Sequence, residues 1–256
     1  MNSGDSAIAW VQADSGGVVV KWSRAAALFP KLEAAAQLLR ALGEHGIPVA
    51  APFATVDGRH RVSLDGPAGG LSVSVLPELT SAWLDIGDRS AVLAAGAALA
   101  EVHRALGDSQ YELSLSPTPC VRGLAGSVDS WLAEGDRGLL QEASRRLADS
   151  RARLPALDDP PQLVHNDFRA ANILTRGSRV VGVLDFDEVT IEHRVHDLAQ
   201  PSVYLETLFR NWGPAPGYES VRPLTRAEAQ WLDTLVLWHG IRAVPSDDKA
   251  GWAAAL

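Results

Sequence analysis

The chain has 256 residues and a formal net charge of −8, from 23 Lys and Arg against 31 Asp and Glu. That length allows one large or two small domains with a substantial core, and the acidic balance argues against a general nucleic-acid binder while suiting a cationic ligand. A single cysteine, Cys120, excludes an internal disulfide framework, Met1 to Asp5 lack a basic and apolar leader pattern, and the longest apolar stretch, Ala91 to Ala100, is too short to span a bilayer. The expectation is a cytoplasmic protein with no membrane and no nucleic-acid partner.

In chain order, Ala7 to Gln12 reads as a strand, Asp14 to Gly17 as a turn and Val18 to Trp22 as a second strand. Val18, Val20 and Trp22 share one strand face, Val19 and Lys21 the other. A lysine among apolar and aromatic neighbours is partly buried and needs an anionic partner. Pro30 opens a predicted helix whose apolar positions Leu32, Ala35, Ala36, Leu39 and Leu42 recur at helical spacing, with an end near Gly43 or Gly46 and Glu33 in its first turn. Pro52 to Thr55, Arg61 to Leu64 and the alternating Leu71 to Val75 lead into Leu76 to Leu79, which reads as a linker.

Val92, Ala95, Leu99, Val102 and Leu106 then form a helical stripe, with His103 as a packing residue near its end. Trp131 to Leu154 reads as one charge-rich helical region, Asp158 to Pro161 as a breaker, and Gln162 to Val164 as a strand.

The most informative stretch follows. His165-Asn166-Asp167-Phe168-Arg169-Ala170-Ala171-Asn172 precedes a short apolar strand, Ile173 to Thr175, a turn at Arg176 to Ser178 and a second strand, Val180 to Leu184, ending in Asp185-Phe186-Asp187. Folding this hairpin brings Asn172 and Asp185 to one open end, with Asp167 in the loop just before. Carboxylate and amide oxygens so gathered suit a hard cation such as Mg²⁺, and a base beside them is what phosphoryl transfer to a hydroxyl requires. Downstream, Glu188 to Ala199 contains Glu192, His193, His196 and Asp197, and Pro201 to Trp212 and Leu224 to Trp238 read as aromatic-rich helices.

The spacing H-x-D-x-x-x-x-N followed by a strand ending in D-F-D resembles the catalytic core of the aminoglycoside phosphotransferase and choline kinase families, small-molecule relatives of the protein kinases. The resemblance implies an α+β, two-lobed protein-kinase-like fold. Its N-terminal lobe, residues 1–79, is a small antiparallel sheet with one key helix and the linker at its end; its C-terminal lobe, residues 80–256, is mostly helical. It implies Asp167 as base, Arg169 as charge stabiliser, Asn172 and Asp185 as metal ligands, and His165 as a loop-structuring residue. Lys21 and Glu33 look like the strand-lysine and helix-glutamate pair, with Lys21 aimed at the α- and β-phosphates, and Leu76, Glu78 and Leu79 are the adenine-edge candidates. A full glycine-rich phosphate loop is not recognisable; Asn2 to Ser6 is the only candidate, with Ser6 as its phosphate contact. Asp197 in D-L-A resembles a residue supporting the catalytic loop from below, with a helix N-cap as the alternative.

The implied cofactors are ATP, with GTP possible, and Mg²⁺. Asp187 stands where protein kinases carry glycine, which points to a small-molecule acceptor. Asp187, Glu188 and Glu192 are candidates for an amine-bearing substrate. Tyr204, Trp212, Trp231 and Trp238 are candidates for stacking on it, with core packing as the alternative for each. The activity implied is transfer of the γ-phosphate to a hydroxyl of a cationic, aminoglycoside-type antibiotic, with homoserine or another amino alcohol or sugar next, by a monomer or homodimer. Two other classes compete: a metal-dependent hydrolase built on His165, Asp167, Asp185, His193 and His196, and a catalytically silent binding module of kinase-like fold.

Overall fold

The structure, a computed structural model, describes residues 6–14, 16–66, 69–108, 123–133, 141–199 and 216–243. Its N-terminal part is a four-stranded antiparallel sheet of β1 (Ser6–Ala13), β2 (Gly16–Ser23), β3 (Val62–Gly66) and β4 (Gly69–Pro77), in the order β1-β2-β4-β3. Gly16 takes φ 121° at the β1–β2 connection, a conformation that excludes most other residues. Lys21 on β2 faces Ser74 on β4, and Ser23 faces Ser72, so these four side chains share one face of the sheet.

Helix α1 (Phe29–Glu44) starts with proline in its first turn, where the missing N–H costs nothing, and buries Leu32, Ala34, Ala35, Ala36, Leu38, Ala41 and Leu42. It stops where Gly46 takes φ 78°, and the Ile47 N–H returns to the Leu42 carbonyl at 3.0 Å. The chain after α1 then ties to the second half of the molecule: Val183 N donates to Pro48 O at 2.7 Å, and Val49 bridges Val183.

The remainder is helical around two small sheets. β5 (Ala82–Trp83), β7 (Ile173–Arg176) and β8 (Arg179–Val183) form one; β6 (Gln162–Val164) and β9 (Thr190–Glu192) form the other. Around them lie α2 (Arg89–Asp108), α3 (Gly123–Ala133), α4 (Gln141–Arg151), α5 (Arg194–Ala199) and α6 (Arg226–Ala243). The predicted hairpin is β7–β8, with Gly177 at φ 59° in its turn. The charge-rich helical region expected over Trp131 to Leu154 contains the end of α3 and the whole of α4. Val92, Ala95, Leu99, Val102 and Leu106 are all buried, which places the stripe of α2 at the centre of the core. Among the described residues no helix is long and apolar enough to cross a membrane.

α2 packs on the turn at Pro216 and Gly217 with no room to spare. A Cβ on Gly96 would meet the Pro216 carbonyl, and one on Gly217, which has φ 81°, would meet the Leu93 carbonyl. Helix propensity alone would make Gly96→Ala stabilising by about 1 kcal/mol. Overpacking against backbone reverses the sign, and urea denaturation should show a loss of about 2 kcal/mol.

Candidate active site

β6 carries the chain into a loop held from several sides. Asn166 takes a left-handed conformation, φ 63°, which asparagine tolerates better than most residues. The buried His165 ring accepts the Asp167 N–H on Nδ1 at 3.1 Å, and its Nε2–H donates to the Leu184 carbonyl at 2.9 Å. This pair of bonds fixes the tautomer. It also fastens the Asp167 backbone to the strand end that presents Asp185. The rings of Phe168 and Phe186 pack on His165 at centroid distances of 5.9 and 4.5 Å.

A 3-10 turn, Ala170–Asn172, places Asn172 below this loop. Its amide nitrogen donates to the Asp167 carbonyl at 2.9 Å and to Asp167 Oδ2 at 2.7 Å. With the nitrogen committed, Oδ1 is the Asn172 atom suited to a cation. Leu184 N donates to Asn172 O at 2.8 Å, which sets Asn172 beside the residue before Asp185. Asp185 itself is left-handed, φ 64° and ψ 62°, and opens the 3-10 turn Phe186–Glu188.

Asp167 is half-buried. Burial raises its pKa above the ordinary carboxylate value, against the lowering pull of Arg169 and of the Asn172 amide. Arg169 Nε lies 3.3 Å from Asp167 Oδ1, so the two residues expected to work on the transferred phosphate are neighbours. A carboxylate with a raised pKa, an adjacent guanidinium and two oxygen ligands at one loop edge can accept a proton while holding a polyanion.

Lys21 enters from the sheet above. Its Nζ lies 2.6 Å from Asp185 Oδ1 and 2.8 Å from Asp187 Oδ2. Burial by itself would lower the ammonium pKa, but the Asp187 and Asp185 carboxylates outweigh it and hold Lys21 above the usual lysine value. The sequence required an anionic partner for Lys21 and named the wrong one. Glu33 does not reach Lys21; its carboxylate accepts from Gln37 Nε2 one turn along α1, at 3.3 Å. The physical reason is Asp187. A second carboxylate in the D-F-D turn makes that turn the stronger attractor for the ammonium.

A further buried cation near the site was missed by sequence reasoning. Arg61 is buried, and its guanidinium donates to Ser72 Oγ at 2.6 Å, Ser74 Oγ at 3.2 Å and the Ser72 carbonyl at 3.1 Å. Burial lowers its pKa, and the charges of Asp187 and Glu33 oppose that shift. The available signal was the serine alternation of β4, a polar face looking inward.

Of the linker candidates, Leu76 pairs with Val19 in the sheet, Glu78 N donates to Gly17 O at 3.1 Å, and the Leu79 carbonyl accepts from the Ser81 hydroxyl at 2.9 Å. The Leu79 side chain lies over Gly182 beside Leu174. Ser6 is the first residue of β1, opposite Ser23, and thus in the ladder; Asn2 to Asp5 lie outside the described residues.

The substrate candidates divide. Asp187 and Glu188 flank the site, Glu188 with Lys31 at 3.5 Å. Glu192 is buried, and its Oε1 accepts the His193 N–H at 2.8 Å, so it braces the end of β9 instead of facing an acceptor. Trp238, 4% exposed, packs on the rings of His196 and His239, and Trp231 donates to the Pro155 carbonyl at 2.9 Å; both are core residues because α6 turns that face inward. Tyr204 and Trp212 lie outside the described residues. No three His, Cys, Asp or Glu side chains among the described residues are grouped to hold a metal ion. A set of one amide and one or two carboxylates instead matches Mg²⁺, which completes its shell with water and phosphate oxygens.

Beneath the loop, Asp197 lies within α5 and does not cap it. It accepts from His165 N at 2.8 Å, Asn166 N at 2.7 Å and His103 Nε2 at 3.0 Å. The expectation of loop support therefore describes its position, and the N-cap alternative does not.

A model of the Phosphotransferase enzyme family matches residues 3–224. The chain belongs to the phosphotransferase enzyme family. Among relatives of this family, a homoserine kinase of Gluconacetobacter diazotrophicus is 28% identical over 212 residues, which is 77% of this chain and 63% of that protein. The chain thus spans less than two thirds of that relative's length. An aminoglycoside phosphotransferase from Alicyclobacillus acidocaldarius superposes with a TM-score of 0.67 at 18% identity, covering 100% of this chain and 86% of that one. An amicoumacin kinase in complex with AMP-PNP and Ca²⁺ superposes with a TM-score of 0.65 at 14% identity, covering 100% and 85%. These superpositions establish the protein-kinase-like fold of this family member.

Proposed function

We propose that this phosphotransferase-family protein moves the γ-phosphate of ATP to a hydroxyl of a small, amine-bearing molecule in the cytoplasm. The observation that carries the reading is the junction of Asp167 and Asn172, joined by a side-chain hydrogen bond, with Asn172 bonded through its carbonyl to Leu184 next to Asp185, under the ammonium of Lys21. Asp167 orients the acceptor hydroxyl and takes its proton; Arg169 stands beside it to offset charge on the moving phosphoryl group. Asn172 and Asp185 would hold Mg²⁺, which supplies charge neutralisation on the phosphates. Lys21 is the phosphate-side cation, and the backbone of Glu78 and Leu79 is the adenine edge. The boundary between the two lobes falls at residues 79 and 80.

The first reading of the acceptor is an aminoglycoside-type or other cationic antibiotic, supported by the acidic Asp187 and Glu188 at the site. Homoserine or another amino alcohol is the second, supported by the 28% identity to a homoserine kinase. The deciding experiment is a screen of aminoglycosides, homoserine and amino alcohols for acceptor-dependent ADP release, with ATP and with GTP, run beside Asp167→Asn. An acceptor whose phosphorylation continues at full rate in that variant would refute the mechanism. Lys21→Met should raise KM for ATP at least tenfold, about 1.4 kcal/mol, while leaving the KM of the acceptor within twofold; product-release assays at varied ATP read both.

A further inference from the structure

A buried chain of polar groups runs from the catalytic loop to the start of α6, and the reaction chemistry does not account for it. It begins at Asp197, which holds the backbone N–H groups of His165 and Asn166. His103 Nε2 is 3.0 Å from Asp197, and His103 Nδ1 is 2.9 Å from the Tyr218 hydroxyl. Arg194 Nη1 lies 3.1 Å from that hydroxyl, and Arg194 Nη2 lies 2.6 Å from Glu228 Oε2 and 2.9 Å from the Pro223 carbonyl. Glu228 Oε2 also accepts the Thr225 N–H, at 2.8 Å, at the entry to α6. Every side chain from Asp197 to Glu228 in this chain is buried.

Only one set of donor directions satisfies these contacts. Burial lowers the pKa of His103, so the ring is neutral, and the hydrogen bond from His103 holds Asp197 below the ordinary carboxylate value despite its burial. An ionised carboxylate only accepts, so His103 donates through Nε2–H and its Nδ1 is an acceptor. The Tyr218 hydroxyl must then donate to Nδ1, and its oxygen accepts from Arg194. Burial raises the Tyr218 pKa, which keeps that proton in place.

We infer that Tyr218, with Arg194 behind it, is a positioning residue for the catalytic loop: its hydroxyl anchors the far side of the His103 ring so that Nε2–H points at Asp197, the carboxylate that holds His165 and Asn166. Asp167 follows directly on those two residues, and the left-handed turn at Asn166 depends on the Asp197 bond to its N–H. The same chain couples the loop to α6. This role rests on reading Asp167 as the base.

The test uses the full chain labelled with ¹⁵N. In the wild type, His103 should carry its proton on Nε2 with Nδ1 accepting a hydrogen bond, and the His165 and Asn166 amides should exchange slowly with solvent. Tyr218→Phe keeps the ring that fills the core and removes only the hydroxyl. In it the Nδ1 resonance should move to that of a nitrogen without a donor, both amides should exchange faster, and kcat for MgATP turnover, with or without added acceptor, should fall about tenfold with KM for ATP unchanged. A proton on Nδ1 in the wild type overturns the inference even if the variant does not fold. So does a variant that melts earlier but keeps the two amides protected and kcat intact. Because the resonance and exchange measurements do not depend on turnover, a wild type that consumes no ATP counts against the phosphotransferase reading and not against the role of Tyr218.

Discussion

Asp167→Asn should lower kcat by about 10²- to 10⁴-fold, the usual contribution of a positioned proton acceptor, with KM for ATP within a factor of about three. The substitution is close to isosteric. The amide oxygen of an asparagine at 167 can still accept from Asn172 Nδ2, which now bonds Asp167 Oδ2 at 2.7 Å, so the loop keeps its shape. What disappears is the lone pair able to take the hydroxyl proton and the negative charge that Arg169 and Asn172 surround. The nucleotide side, with Lys21 on Asp185 and Asp187, is untouched. Steady-state kinetics with the acceptor found by screening, alongside a melting curve, separate the outcomes. A rate within tenfold of the parent would remove Asp167 from the role of base, whereas loss of the folded transition would show that Asp167 is structural.

Asp197→Ala is expected to have the largest effect on the fold. The carboxylate is fully buried and receives three donors: His103 Nε2, His165 N and Asn166 N. Its removal leaves those donors without a partner at roughly 1 to 3 kcal/mol each, for a total of about 3 to 5 kcal/mol, as when one member of a buried pair is deleted. Against a domain stability of about 5 to 15 kcal/mol, the variant is marginal, and urea denaturation should place its midpoint far below that of the parent.

The pH dependence has a definite sign. His103 and Asp197 both have folded pKa values below their ordinary 6.5 and 3.8. A depressed pKa means that the unfolded chain takes up the proton first, so the stabilisation is complete above the unfolded value and is lost as pH falls. Unfolding free energy should therefore decline first below pH about 6.5, as His103 protonates in the unfolded chain, and again below about 3.8 as Asp197 does. His103→Gln should flatten the first decline, which denaturation midpoints between pH 5 and pH 8 would detect.

Much of this molecule is legible in its residue order, because local patterns carry it. The β7–β8 hairpin follows from two apolar runs around Arg176-Gly177-Ser178, and the catalytic spacing lies within one loop and one hairpin. Asn172 and Asp185 come together because the hairpin returns the chain to its start. The apolar stripe of α2 and the proline start of α1 are equally local.

The partners of charged groups were not legible in this way. Lys21 demanded a carboxylate, and sequence order offered Glu33; the structure supplied Asp185 and Asp187, which are more than 160 residues away along the chain. Arg61 looked like the start of a strand and is a buried guanidinium on the serine face of β4. Tyr218, Arg194 and Glu228 lie in three different elements, and nothing in their neighbours announces that they meet His103. Glu192 and Trp238 had the chemistry of a substrate site but are turned inward by β9 and α6.

By itself, then, the sequence determined the family motif, the β7–β8 hairpin and the succession of strands and helices, since these are written in spacing and hydrophobic period, and through the resemblance it named the base and metal-ligand residues proposed here. Only the tertiary structure decided which anion each buried cation meets and how the loop carrying Asp167 is held from below. The physical reason is that a buried charge takes whichever complementary group the packing brings within hydrogen-bond distance, and that choice is made between segments remote in sequence.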